Sequence, residues 1–235
     1  MSSNLFDKFF PNNVVTWFSD SSRDFSISDS PPYLTSTQKD CLNEMVSFRD
    51  EMVVNIKQCH GSHCLPVTAI DMAGPEVIWK ADSVATNVPN IFLSVRTSDC
   101  LPVFIYDMKK RCTALVHAGW KGTQKKVLQN TLKVLNHKWG CAAEDLMVGF
   151  GPSIRKCCYK VGEEFGRIFP DDTYVCEREF FFDLVGVNQR ILSQAGVKNE
   201  SIHDCGLCTC CREEYFSYRR EGEKAGRHLS LMAFS

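Results

Sequence analysis

A chain of 235 residues, 44% of them hydrophobic, is long enough to bury a substantial core. Its net charge of −1 excludes the broad basic surface that binds nucleic acid or an anionic membrane. No run of the sequence approaches the roughly 20 apolar residues of a membrane span, and no secretory signal begins it, so we expect a cytosolic protein.

The cysteine content is high, and its 13 residues are an odd number. In a chain without a secretory signal this predicts reduced thiols rather than a disulfide framework. Free cysteine commonly packs as a small hydrophobic residue. We expect this of Cys41, Cys112, Cys141 and Cys176.

Strand signals dominate the first half of the chain. Apolar runs rich in β-branched and aromatic residues predict strands at residues 14–18, 53–57, 91–95, 101–106 and 112–116. Residues 19–40 are rich in Ser, Asp, Pro and Thr, and they predict a surface connection.

Helices enter in the second half. Residues 123–138 carry apolar side chains at helical spacing, with Gly122 or Thr123 expected to begin the helix and Gly140 to end it. Further segments predict a strand at 146–152, a helix at 161–169, a strand at 180–183, a helix at 184–195 followed by Gly196, and a strand at 227–234. This mixture lacks a regular βαβ alternation. It favours an α+β fold, a single layered domain over residues 1–235 with mixed β-sheets flanked by helices.

Three potential metal ligands lie at the ends of predicted strands, namely His60, Cys100 and His117. Turns at strand ends are where functional sites are usually built. Two imidazoles and one thiolate suit zinc, and three protein ligands leave the fourth position open, as in catalytic zinc sites. A single His or Cys at such a position is more often a structural residue than a metal ligand. His63 is an alternative to His60 as the first ligand.

A cysteine-rich segment at residues 205–211 contains Cys205, Cys208, Cys210 and Cys211. A structural zinc held by four thiolates usually needs two separated pairs of cysteines. Because all four thiols are bunched here, the segment alone disfavours a second zinc and leaves the question open.

Several polar residues near the candidate ligands could bind an anion or move a proton. Gly119 and Gly122 flank Trp120 and Lys121 at the start of a helix, where backbone N–H groups and the helix dipole favour phosphate, although an ordinary turn has the same glycines. Trp120 could stack on a flat ring or simply pack. Asp99 could cap a turn, support a histidine ligand or act as a general acid–base. Three arginines near the end of the chain could bind phosphate or form a solvent-exposed charged face. These are Arg219, Arg220 and Arg227.

Several motifs in one order carry a family resemblance. They are QCHG at 58–61, TSDCLPV at 97–103, HAGWKG at 117–122, GPSI at 151–154 with CYKVG at 158–162, FDL at 182–184, and the tail from CT at 208–209 to GR at 226–227. Over residues 53–235 the chain resembles the YfiH-like proteins, formerly called multicopper polyphenol oxidases or laccase-domain proteins and now regarded as purine nucleoside phosphorylases. Together the motifs are highly specific, although no single one is.

The resemblance implies an α+β fold related to cysteine-hydrolase-like toxins, and a zinc ion held by His60, Cys100 and His117. It implies a cytosolic enzyme that cleaves adenosine, inosine and methylthioadenosine with phosphate and also deaminates adenosine. The expected partners are purine nucleosides and phosphate, without nucleic acid or membrane, and the expected state is a monomer or homodimer. The expected catalytic residues are Asp99, Cys100 and His117, and the expected substrate or phosphate ligands are Gln58, Trp120, Lys121, Arg219 and Arg220.

Two departures from the family pattern concern substrate binding. Lys121 stands where the family usually has arginine, which keeps the charge and loses the bidentate fork. Residues 1–50 lack the family's Gly-rich signature and its Asn-Arg pair, and Arg49 is the candidate to replace that arginine.

Three other functions use the same residues. Cys100 and His117 could form a metal-independent Cys–His hydrolase, with the thiol as nucleophile and the imidazole as base. A copper oxidase fits poorly, because six histidines without any His-x-His pair are too few for its copper centres. A non-catalytic interaction domain is disfavoured because no candidate ligand is missing. The His-x-Glu and Pro-Cys-x-x-Cys signature of zinc deaminases is absent, so deamination would need another acid–base group.

Overall fold

The computed structural model describes residues 5–6, 8–27, 35, 38, 40, 53–68 and 79–235. Cys41, Arg49 and much of the predicted connection at 19–40 lie outside the described residues. The strands are β1 Val14–Phe18, β2 Val53–Val54, β3 Ile56–Lys57, β4 Cys64–Val67, β5 Trp79–Lys80, β6 Ser83–Thr86, β7 Phe92–Thr97, β8 Leu101–Asp107, β9 Cys112–Ala118, β10 Leu146–Phe150, β11 Lys160–Val161, β12 Thr173–Cys176, β13 Glu179–Phe182, β14 Ile202–Asp204 and β15 His228–Phe234. The α-helices are α1 Trp120–Gln124, α2 Val127–Trp139, α3 Phe165–Ile168, α4 Leu184–Gln194 and α5 Tyr218–Glu221.

A six-stranded sheet in the order β14-β10-β8-β9-β6-β4 lies at the centre of the fold. Strands β8 and β9 are antiparallel and buried along their whole length. Because successive side chains of a strand point to opposite faces, Val103 and Ile105 join one core cluster, and Phe104 and Tyr106 join another. The central sheet therefore separates two apolar cores.

Different layers cover the two faces of this sheet. Helices α2 and α4 contribute Leu128, Leu135 and Leu192 to the first core. A second sheet, in the order β1-β15-β7-β2, contributes Leu93 and Met232 to the other core. This arrangement of mixed sheets with few helices confirms the predicted layered α+β fold. Within the described part of the chain, no helix is long and apolar enough to span a bilayer.

The helix predicted at residues 123–138 is in fact two helices. Helix α1 begins at Trp120 after the cap residue Gly119, so the predicted start at Gly122 or Thr123 was wrong. The chain then breaks at Lys126, which adopts a left-handed φ of 68°, and α2 follows. Gly140 ends α2 at φ 69°, as predicted. The sequence pattern missed α1 because that helix carries little apolar periodicity.

The helix predicted at residues 161–169 was also largely wrong. Only Phe165–Ile168 is helical. Lys160 and Val161 instead pair with Phe181 and Phe180 of β13, forming an antiparallel ladder. Pairing with a distant strand overrides the local helical spacing, which sequence periodicity alone cannot detect.

Candidate active site

The register of the central sheet brings the predicted metal ligands together. Cys100 immediately precedes β8, and His117 lies near the end of β9, where it pairs with Pro102. His60 enters from the loop between β3 and β4 with a positive φ of 55°. The ligand atoms of these three residues all lie within 4.8 Å of one another. The rival His63 is outside this group.

A buried carboxylate that the sequence analysis did not single out organises the ligands. Asp82 precedes β6, is fully buried, and accepts a hydrogen bond of 2.8 Å from His117 Nδ1. It also accepts hydrogen bonds from the backbone N–H groups of His60 at 2.9 Å and Gly61 at 2.6 Å. One side chain therefore fixes the orientation of one ligand and the loop that carries another. Such outer-shell carboxylates commonly orient the histidine ligands of metal sites.

The charges of the site favour an ionised thiol. Burial alone would raise the pKa of Cys100, but the positive charge of His117 and hydrogen bonds from His117 and His60 lower it to about 6. Burial opposes protonation of His117, yet the Cys100 thiolate and Asp82 raise its pKa to about 9. Burial also opposes ionisation of Asp82, and the hydrogen bonds from His117 and Gly61 nevertheless hold its pKa well below the usual range.

The donor set fits a metal ion. Asp82 occupies Nδ1 of His117, which leaves Nε2 free for a metal. A thiolate and two imidazoles within reach of one point are the ligands that zinc prefers, and three protein donors leave a position open for a substrate. These residues could therefore hold zinc in an open, catalytic type of site.

Gly119 is packed so closely against Cys100 that adding a methyl group at this position tests the site. A Cβ at Gly119 would lie 2.7 Å from Cys100 Sγ, while its φ of −80° suits any residue. We expect Gly119→Ala to displace the thiolate and weaken zinc affinity by about 10- to 100-fold, the range seen when supporting contacts of a metal site are lost. Competition with a chelator measures the affinity.

Gly166→Ala is the matched control for this substitution. Gly166 lies in α3, and nothing lies within 4 Å of the position that an added methyl group would take, so alanine should leave zinc affinity unchanged. Unaltered affinity in Gly119→Ala would contradict the close approach of Gly119 to the ligand.

A cavity of about 880 Å³ opens beside the candidate ligands. In the part of the chain that the structure describes, one lining residue is acidic, Asp99. The basic lining side chains are Lys57, Arg96, Lys121, Lys160, Arg219 and Arg227. Such an excess of positive charge in a concave site favours an anionic ligand.

Aromatic rings form another part of the cavity wall. Trp120, Tyr159, Phe165 and Tyr218 all line it. The rings of Trp120 and Phe165 pack with centroids 5.1 Å apart, and Lys121 Nζ lies 5.5 Å from the centroid of the Trp120 ring. Large apolar rings beside a few charged groups are typical of sites for small ligands with a flat aromatic part.

Comparison with known proteins identifies the family. Residues 18–235 match the family described as multi-copper polyphenol oxidoreductase laccase. The chain belongs to this family. A protein of Clostridium acetobutylicum named purine nucleoside phosphorylase is 34% identical over 159 residues, which cover 66% of this chain and 67% of the relative. A protein of Bacteroides thetaiotaomicron with the same name is 30% identical over 201 residues, covering 79% of this chain and 74% of the relative.

Two solved bacterial structures share the fold. The crystal structure of the hypothetical protein YfiH from Bacillus licheniformis matches with a TM-score of 0.84 at 24% identity, covering 95% of this chain and 94% of that chain. YlmD from Geobacillus stearothermophilus matches with a TM-score of 0.83 at 23% identity, covering 95% of this chain and 92% of that chain. The resemblance to YfiH-like proteins is therefore confirmed.

In this laccase-family chain, most of the other predicted site residues line the cavity. Gln58, Trp120, Lys121 and Arg219 do so. The amide of Gln58 is engaged with the backbone N–H and carbonyl of Arg96, each at 2.7 Å, so it fixes the edge of β7. Its binding of substrate stays a prediction.

Asp99 and Arg220 are held by the loop before α5. Asp99 accepts hydrogen bonds from Thr209 Oγ1 at 2.6 Å, Ser217 Oγ at 3.1 Å and the backbone N–H of Arg219 at 2.6 Å. The guanidinium of Arg220 donates to the carbonyls of Thr209, Cys210, Arg212 and Tyr215. Arg220 is not among the lining residues, so the structure does not bring it into the cavity.

Arg96 and Asp82 are the site residues that the sequence analysis missed. Arg96 is buried at the cavity, and its Nη1 has no hydrogen-bond acceptor among the described residues. The available signals were weak. Asp82 is a lone acidic residue between Ala81 and Ser83 just before β6, and Arg96 is the charged residue of the otherwise uncharged β7.

Proposed function

We propose that this protein is a zinc-dependent purine nucleoside phosphorylase that acts on adenosine, inosine and methylthioadenosine and also deaminates adenosine. The observation that carries the proposal is one cavity in which basic side chains and aromatic rings meet the group formed by His60, Cys100 and His117. The names of the relatives from Clostridium and Bacteroides support it.

Zinc is the metal that the donor set favours. One thiolate and two imidazoles suit zinc. A multicopper oxidase needs more imidazoles than the six histidines of the whole chain, none of which form a His-x-His pair. A zinc ion held by His60, Cys100 and His117 would supply a Lewis acid that polarises an oxygen of the substrate.

The basic side chains would bind phosphate. Arg96, Lys121 and Arg219 all line the cavity, and the Arg219 guanidinium lies 5.4 Å from the centroid of the Tyr159 ring. Charge-assisted hydrogen bonds from guanidinium groups suit phosphate oxygens. Arg96 is especially suitable because its position is fixed by donation to the Phe25 carbonyl and to Asn55 Oδ1.

The same cavity would orient the nucleoside. In phosphorolysis a phosphate oxygen bonds to C1′ of the ribose while the C1′–N9 bond breaks, and the departing purine keeps the electron pair and takes up a proton. Trp120 and Phe165 offer a surface on which the purine can stack. Asp99 is the candidate for moving protons in phosphorolysis and deamination, because it is the acidic residue of the described lining.

A metal-independent Cys–His hydrolase is the second candidate. The contact between Cys100 and His117, with a thiol that ionises readily, is the arrangement of a cysteine nucleophile and its base. The two candidates differ in their need for metal and phosphate. Activity that survives removal of all metal and needs no phosphate would favour the hydrolase.

A product assay tests the proposal. Purified protein is incubated with adenosine, inosine or methylthioadenosine, with and without phosphate, and the bases and sugar phosphates are separated by chromatography. Phosphate-dependent adenine together with ribose 1-phosphate is the expected result with adenosine. Inosine formed regardless of phosphate is the expected sign of deamination. Absence of product from every nucleoside would overturn the proposal.

Arg219 and Arg220 should behave differently in this assay. We expect Arg219→Ala to raise KM for phosphate by roughly 10- to 100-fold, because a hydrogen bond to a charged group contributes about 1.5–3 kcal/mol. Arg220→Ala should mainly lower thermal stability, because it leaves several loop carbonyls without their donor. Steady-state kinetics at varied phosphate concentration and thermal unfolding separate the two. An unchanged KM for phosphate in Arg219→Ala would contradict its role.

A further inference from the structure

Four cysteines from two distant segments meet outside the cavity. Cys157 and Cys158 lie in the loop between β10 and β11, and Cys208 and Cys211 lie in the loop before α5. Their four Sγ atoms all lie within 4.8 Å of one another. The segment at 205–211 lacks a second, separated pair of cysteines. The fold supplies that pair by bringing Cys157 and Cys158 to Cys208 and Cys211.

The spacing of the sulfur atoms suits a tetrahedral metal site. Four sulfurs at about 2.3 Å from a zinc ion lie about 3.8 Å from one another. Cys211 Sγ is 3.6 Å from Cys157 Sγ and 3.2 Å from Cys158 Sγ. These distances exceed the roughly 2.05 Å of a disulfide bond, so the described thiols are free.

Backbone contacts hold the two loops in place around the thiols. Ser153 and Cys208 form a parallel bridge, in which the Thr209 N–H donates to the Ser153 carbonyl at 3.1 Å. The Arg155 Nε also donates to the Leu207 carbonyl at 3.1 Å, so the first loop is tied to the segment that carries Cys208.

We propose that Cys157, Cys158, Cys208 and Cys211 bind a second zinc ion, which has a structural role. Four thiolates close the tetrahedron and leave no position for a substrate, unlike the group of His60, Cys100 and His117. The pattern joins the adjacent pair at 157–158 to a Cys-x-x-Cys pair at 208–211.

The position of this four-cysteine site indicates what the zinc would stabilise. The first loop continues into Tyr159 and Lys160, and the second leads to Arg219, all of which line the cavity. Arg219 Nη1 donates to the Lys160 carbonyl at 2.6 Å, so the two segments meet again at the cavity wall. A metal cross-link between the loops would therefore hold the wall that carries Arg219.

Zinc stoichiometry tests the second site independently of the proposed function. Protein purified under reducing conditions without chelator should contain two zinc ions per chain by elemental analysis. The variant Cys100→Ala/His117→Ala should retain one. X-ray absorption of the zinc in that variant should show four sulfur neighbours at about 2.3 Å. These readouts need no enzymatic activity, so they stand even if the nucleoside proposal fails.

A second pair of variants locates the ion. Cys157→Ser/Cys211→Ser should lose one zinc ion per chain, and Cys205→Ser should lose none, because Cys205 is outside the group of four thiols. If the double variant does not fold, the absorption spectrum of the Cys100→Ala/His117→Ala variant still decides the question. A Cys100→Ala/His117→Ala variant without any zinc, or a Cys158–Cys211 disulfide found by mass spectrometry in wild-type protein purified under reducing conditions without chelator, would overturn the proposal.

Discussion

If the proposed function is correct, Cys100→Ala is expected to abolish zinc binding by the group of His60, Cys100 and His117 and to lower kcat/KM for adenosine cleavage by more than about 100-fold. Even residues that only orient the ligands of a metal site change affinity or activity by about 10- to 100-fold, and Cys100 supplies the one thiolate of this group. Elemental analysis and the product assay measure the two effects.

Cys112→Ala is the matched control for loss of a thiol. Cys112 begins β9 in the same sheet, is buried, and lies at the opposite end of that strand from His117. We expect it to cost about 1 kcal/mol of stability, in keeping with loss of a small buried group, while the zinc ion and the activity are retained. Full zinc content in Cys100→Ala would show that the metal lies elsewhere.

Asp82→Asn is expected to weaken zinc binding by about 10- to 100-fold and to lower the free energy of unfolding by about 3 kcal/mol. The carboxylate accepts hydrogen bonds on both oxygens from His117, His60 and Gly61. An amide group would turn an N–H toward donors that already point at this position. The loop carrying His60 and the ring of His117 would then lose their common anchor.

Asp107→Asn separates the loss of a buried carboxylate from the loss of the metal site. Asp107 lies at the end of β8 that is far from Cys100. Its carboxylate accepts hydrogen bonds from the backbone N–H groups of Lys109 at 2.8 Å and Lys110 at 2.9 Å. We expect it to lower stability in urea unfolding and to leave zinc affinity unchanged in chelator competition. Equal zinc affinities for Asp82→Asn and Asp107→Asn would contradict the proposal that Asp82 positions the metal ligands.

Elements with strong local signals were predicted correctly from the sequence. Continuous apolar runs marked β8 and β9, because both faces of these central strands are buried. Gly140 and Gly196 marked helix ends, because both adopt positive φ angles that glycine tolerates best. The short helix α1 was missed because it carries little apolar periodicity. The ladder of β11 was missed because it depends on pairing with Phe180 and Phe181 of β13, which local periodicity does not reveal.

The sequence by itself indicated the family and the three candidate ligands, because His60, Cys100 and His117 lie in short motifs at strand ends. Only the tertiary structure decided which residues support them. Asp82 reaches His117 because β6 pairs with β9, and that pairing leaves no mark in either segment alone. Likewise, two loops separated by about 50 residues bring four thiols together around one point. Hydrogen bonds, ion pairs and metal coordination require atoms within a few ångströms of one another. The spacing of residues along the sequence does not give these distances, because they are set by the register of the sheet.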